Sequence, residues 1–145
     1  MGVLIALWAW VATAARLHVS LWAGVVALGC FYAAGGGVPG LQKAIVSPLS
    51  GVLWVLVADA VRVAIGGGSV VAAVILGATA SAIVLQSRVP FLSFTAGAFA
   101  GAGVALGLGV NTVNEAIRAG VALAVGGLLG FAADRVAGAV GGRRA

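Results

Sequence analysis

The chain has few side chains that do chemistry, and they gather at a few places. Uncharged hydrogen-bonding groups sit at two breaks in an otherwise apolar sequence: Gln42, Ser47 and Ser50 around Pro48, and Ser87, Ser93 and Thr95 around Pro90. Phe91, Phe94 and Phe99 lie close to the second set. Hydroxyl and carbonyl groups beside aromatic walls suit a small uncharged polar solute, which needs hydrogen bonds but no countercharge. The same groups equally suit helix-to-helix hydrogen bonds worth about 1 kcal/mol each or less.

The charged groups offer less. Asp59 precedes Arg62 and Glu115 precedes Arg118 at helical spacing, so each pair fits one helix face, and Asp134 adjoins Arg135. A charge inside a membrane is costly and is normally paired, which makes Asp59 and Arg62 the intramembrane ion-pair candidates. Glu115 stands in a polar run with Asn111 and Asn114 and reads as interfacial. A proton-coupled transporter would want an unpaired intramembrane carboxylate, and every acid here has an arginine within reach. His18 is alone beside Arg16, no His, Cys and carboxylate cluster has metal-ligand spacing, and no serine or cysteine has a base nearby in sequence. The sequence therefore predicts no enzyme, no metal and no cofactor.

The elements that position these residues follow from composition. Of 145 residues, 63% are hydrophobic and 8% charged, with a mean hydropathy of +1.22. Soluble domains carry about 25% charged residues, so lipid is the solvent that this much apolar surface requires. The net charge of +5 does not indicate nucleic acid, because the basic residues are dispersed at the borders of apolar segments and only Arg143 and Arg144 are adjacent. Cys30 is the one cysteine, so there is no intrachain disulfide. Residues 1–14 lack the positive leading region of a secretory signal and are expected to remain as a span.

Six apolar segments stand between turn-forming breaks: Gly2–Ala15, Val19–Ala34, Leu49–Ile65, Ser69–Leu85, Phe91–Gly109 and Ala116–Ala133. Proline disfavours helix in the residue before it and suits a first helical turn. Ser47 accordingly reads as a cap, with a new helix from Leu49 and a broken or re-entrant stretch over Gly40–Pro48. With six spans, Lys43, Arg88, Arg135, Arg143 and Arg144 fall on one side, and Arg16, Arg62 and Arg118 on the other. That bias places both termini in the cytoplasm. Gly97, Gly101, Gly103, Gly107 and Gly109 in one segment, and Gly126 and Gly130 in the last, allow close helix approach, either within the chain or between copies.

Several stretches resemble a known family. Trp8-Ala9-Trp10-Val11-Ala12, Trp22-Ala23-Gly24 followed by Cys30-Phe31-Tyr32-Ala33-Ala34, Leu49-Ser50-Gly51-Val52-Leu53-Trp54, and Leu92-Ser93-Phe94 with Gly97-Ala98-Phe99 are similar, in order, to the YcdZ-like family. The resemblance implies a small polytopic bacterial inner-membrane protein and supplies no activity. A more distant likeness is to one unit of the urea transporters, with a re-entrant pore helix, an Asn-Pro-Leu-Ser-Gly-like turn and a later Phe-polar-Gly motif. Leu41 to Val46, Ser47-Pro48-Leu49-Ser50-Gly51 and Phe94-Thr95-Ala96-Gly97 are similar to these in order. Ser47 stands where that family has Asn, and one unit alone would need an oligomer to form such a pore.

The sequence thus predicts an all-α, polytopic membrane helix bundle of about six segments, as one domain over residues 1–134 with a short basic tail over 135–145. Its expected partners are the lipid bilayer and further copies of itself, and not nucleic acid. The leading expectation for function is a passive channel for a small neutral polar solute such as urea, ammonia or water, with Gln42, Ser47, Ser50, Phe94 and Thr95 along the path. The alternative is a membrane scaffold, or a lipid- or protein-binding protein, that transports nothing.

Overall fold

The computed structural model describes residues 6 and 21–141. Within them the chain forms five α-helices: α1 (Leu21–Ala33), α2 (Gly37–Ile65), α3 (Ser69–Gln86), α4 (Thr95–Leu108) and α5 (Val113–Gly141), with a single 3-10 turn, Pro90–Leu92, between α3 and α4. These correspond to five of the six expected segments. The first, Gly2–Ala15, lies outside the described residues apart from residue 6, which is helical, and so do Trp8, Trp10, Arg16, His18, Arg143 and Arg144.

Glycine and hydroxyl chemistry sets the helix ends. Gly109 takes the left-handed conformation after α4 (φ 65°, ψ 37°). Its N–H donates to the Leu106 carbonyl at 3.1 Å while the Val110 N–H reaches back to Ala105 at 2.9 Å, which closes the helix in a Schellman motif. Immediately afterwards a capping box opens α5. The Glu115 N–H donates to Thr112 Oγ1 at 3.3 Å, and Glu115 Oε2 accepts from the backbone N–H groups of Thr112 and Asn111 at 3.2 and 3.0 Å.

The expected break at Ser47-Pro48 is absent. α2 is one helix of 29 residues with Pro48 inside it, so Ser47 is no cap and Gly40–Pro48 is not re-entrant. Proline removes one N–H donor, and so deprives only the Ala44 carbonyl. Unwinding the helix in an apolar surround would strand many more backbone groups, so the helix is kept. Pro48 itself is fully buried, packed on Gly101 of α4, where no side chain competes for the space.

α2 is the central helix and touches each of the other four. Two crossings are made possible by glycine. A methyl group at Gly51 would run into the backbone of Ala98 and Ala102, and one at Gly101 into the backbone of Pro48, so α2 and α4 meet backbone to backbone. Gly126 of α5 meets Gly24 of α1 in the same way, and Gly130 receives the Phe31 ring. The core between them consists largely of small residues, including Ala23, Ala27, Ala98, Ala105 and Ala122, all fully buried. Close packing of this kind holds helices together where lipid supplies no hydrophobic driving force between them. α3 stands apart, with Thr79 and Ile83 its only buried residues.

Three of these helices, Gly37–Ile65, Ser69–Gln86 and residues 113–139 of α5, are long and apolar enough to cross a membrane, and α1 and α4 are shorter apolar helices. The architecture is that of an all-α integral membrane protein. Lys43, Arg88 and Arg135 fall at one end of the bundle, near the α1–α2 and α3–α4 turns; Arg62 and Arg118 fall at the other.

Candidate functional site

Ser47, Ser50 and Trp54 occupy one face of α2, at offsets of three and four residues. Opposite them is Gln86, the last residue of α3. A directed chain of hydrogen bonds joins the two helices. Trp54 Nε1 donates to Gln86 Oε1 at 2.8 Å, Gln86 Nε2 donates to Ser50 Oγ at 2.9 Å, and Ser50 Oγ donates to the Ser47 carbonyl at 2.7 Å. Each bond polarises the next in a medium with little water, so the chain is more than three separate contacts. All its members are uncharged.

Ser47 completes the group differently. Its side chain is fully buried, and its hydroxyl has no hydrogen-bond partner among the described residues. A buried hydroxyl left unsatisfied costs about 1–3 kcal/mol. Its Cβ lies beside Gly97 of α4, over which the Phe94 ring is laid, so Ser47 and Phe94 converge on the same glycine. Phe94 also packs against the apolar cluster of Cys30, Phe31 and Ala44.

Of the five pore candidates, Ser47 and Phe94 are brought together at Gly97, and Ser50 joins them through its bond to the Ser47 carbonyl. Thr95 is the first residue of α4 and its hydroxyl donates to the Ser93 carbonyl at 3.5 Å. Gln42 is exposed near the start of α2, away from the others. Sequence reading passed over Gln86, taking the neighbouring Ser87 instead, whose hydroxyl only caps its own helix at Val84. The available signal was the spacing of Ser50 and Trp54, a hydroxyl and an indole one turn apart, where the partly buried indole N–H still needs an acceptor from a neighbouring helix.

Asp59 and Arg62 do pair, with Arg62 Nη2 and Nε donating to Asp59 Oδ1 at 2.7 and 3.1 Å. They sit in the last two turns of α2, at the other end of the bundle from Phe94. The other expected pairings do not form. Glu115 is taken up by the capping box, because backbone N–H groups at a helix start are nearer than the Arg118 guanidinium one turn on. Asp134 Oδ2 accepts from the Gly37 N–H at 3.4 Å, and the Arg135 guanidinium stands 4.9 Å above the Phe131 ring. Adjacent residues on a helix point apart, which keeps Asp134 and Arg135 from meeting.

No curated protein and no solved structure matches the chain. A family model described as "Protein of unknown function (DUF1097)" matches residues 1–138, and with nearly the whole chain covered the protein belongs to that family.

Proposed function

We propose that this is a multi-pass protein of the bacterial inner membrane, with both termini in the cytoplasm, that passes a small neutral polar solute such as urea, ammonia or water. One observation carries the reading: an uncharged hydrogen-bonded chain, from Trp54 through Gln86 and Ser50 to the Ser47 carbonyl, is set partway along the central helix beside the buried Ser47 hydroxyl, which has no partner among the described residues. Neutral donors and acceptors favour a neutral solute, since an ion would need countercharge or a ring of carbonyls. The backbone contact of α2 and α4 at Gly51 and Gly101 fills the centre of one copy. The path therefore runs beside that contact, along the α2–α3 seam that carries the polar group, and the protein works as a homo-oligomer in which a second copy closes the seam. α3, the helix least covered by its own chain, supplies that boundary with Ala73, Gly77 and Ser81 exposed at four-residue spacing.

The likeness of Phe94-Thr95-Ala96-Gly97 to the urea transporter motif supports the solute class. The likeness at Ser47–Gly51 does not, because that stretch is helix interior here. The YcdZ-like resemblance supports the inner-membrane location.

A second reading has its own observation. The Ser50, Gln86 and Trp54 side chains satisfy one another, which is what a static clamp in a non-transporting scaffold would do. Stopped-flow permeability of proteoliposomes to urea, ammonia and water separates the two. Flux of one of these above that of empty liposomes is expected. Rates equal to empty liposomes for all three would leave the scaffold.

A further inference from the structure

At the end of the bundle opposite Phe94, a cleft of about 320 Å³ opens between α2, α3 and α4. Its apolar wall is formed by Val55, Ile75, Leu76 and Leu106, and its polar rim by Asp59, Arg62 and Asn111. We propose that this cleft binds a zwitterionic phospholipid with a primary ammonium headgroup, the phosphodiester on Arg62, the ammonium on Asp59 and an acyl chain along the apolar wall.

Charge and geometry argue for it together. Asp59 and Arg62 are paired through Oδ1, so among the described residues Oδ2 of Asp59 and the Nη1 side of Arg62 remain without a partner. The two side chains are 21% and 48% exposed, so both are reachable from outside. The Asn111 side-chain amide adds a further donor at the rim. The rim presents one negative and one positive group side by side, with no net charge. A zwitterion complements both, whereas an anionic headgroup would satisfy Arg62 and face the Asp59 carboxylate. A trimethylated ammonium has no N–H to give to Oδ2, which removes the charge-assisted bond.

Depth agrees with a lipid rather than a soluble ligand. α2 has 29 residues, or about 43 Å at 1.5 Å per residue, against a hydrocarbon core of about 30 Å. Centred on that core, α2 projects about 6 Å beyond it at each end. Asp59, about 9 Å from the helix end by the same rise, thus lies at the core border within side-chain reach of the headgroups, while Val55, one turn deeper, faces the acyl region. The site stands apart from Ser47 and Ser50 and is read without any flux, so it does not depend on the conduction reading.

The test is native mass spectrometry of the purified protein in micelles with equimolar phosphatidylethanolamine, phosphatidylcholine and phosphatidylglycerol. Phosphatidylethanolamine is expected to be retained about tenfold over the other two, a factor that corresponds to about 1.4 kcal/mol. Asp59→Asn should cut its advantage over phosphatidylglycerol at least about fivefold. Ala72→Phe, which fills the cleft from α3 and leaves both charges, should abolish retention with the melting temperature held within a few degrees. Soluble glycerophosphoethanolamine should not bind at the same concentration, since it lacks the chain. Equal retention of the three lipids by the unsubstituted protein would overturn the proposal, whatever the variants do. So would a preference that survives both substitutions, or binding of the soluble headgroup as well as the lipid.

Discussion

Gln86 shows what a single residue contributes. It is the last residue of an apolar helix, and its two amide ends are both engaged, Oε1 by Trp54 and Nε2 by Ser50. Neither partner was legible from the sequence, because the contact depends on the register of α3 against α2, and only the folded chain supplies that. Ser47, Ser50 and Phe94 were legible as polar and aromatic groups near prolines. That Ser47 would be buried without a hydrogen bond was not. A double-mutant cycle of Trp54→Phe and Gln86→Leu, read by thermal or steric-trap unfolding in bicelles, should give a coupling of about 0.6 kcal/mol, the average for interhelical hydrogen bonds in membranes, and at most about 1.7 kcal/mol. A coupling of zero would mean the bond is not formed.

Element boundaries were legible wherever a glycine or proline ends a helix for a local reason: Gly35 to Gly37 between α1 and α2, Gly66 to Gly68 before α3, and Gly109 with Thr112 between α4 and α5. Pro48 misled because its local preference was outvoted by the rest of α2, whose backbone has nowhere else to bond. The glycines of α4 and α5 were legible as close-approach positions but not as to what approaches them. Gly97, Gly101, Gly126 and Gly130 all face neighbours within the same chain, while Gly103 faces open space. Gly101→Ala should therefore force α2 and α4 apart and destabilise the protein by several times the about 1–3 kcal/mol of ordinary overpacking, or prevent folding. Gly103→Ala should be neutral or stabilising by up to about 1 kcal/mol through helix propensity. Melting temperatures of the two variants check the contrast, and equal effects would contradict the packing described.

At the scale of the whole molecule, composition alone identified a membrane protein, since 63% hydrophobic residues leave no other solvent. It could not name an activity, because activity in such a bundle rests on a few neutral groups and on where copies meet. Gly77→Cys, at an exposed position of α3 with nothing near it, should form disulfide-linked dimers on mild oxidation in native membranes. Leu53→Cys on the exposed flank of α2 should not. Equal crosslinking at both would remove α3 as the subunit boundary. The conduction reading stands most directly on Ser50, which holds the middle of the polar chain. Urea, ammonia and water flux through proteoliposomes of Ser50→Leu should be compared with the unsubstituted protein and with Ser87→Leu, whose hydroxyl only bonds back to Val84 of its own helix. The expected result is loss of the protein-dependent flux in Ser50→Leu alone, with the helical content of all three unchanged. Flux through folded Ser50→Leu equal to that of the unsubstituted protein would contradict the account.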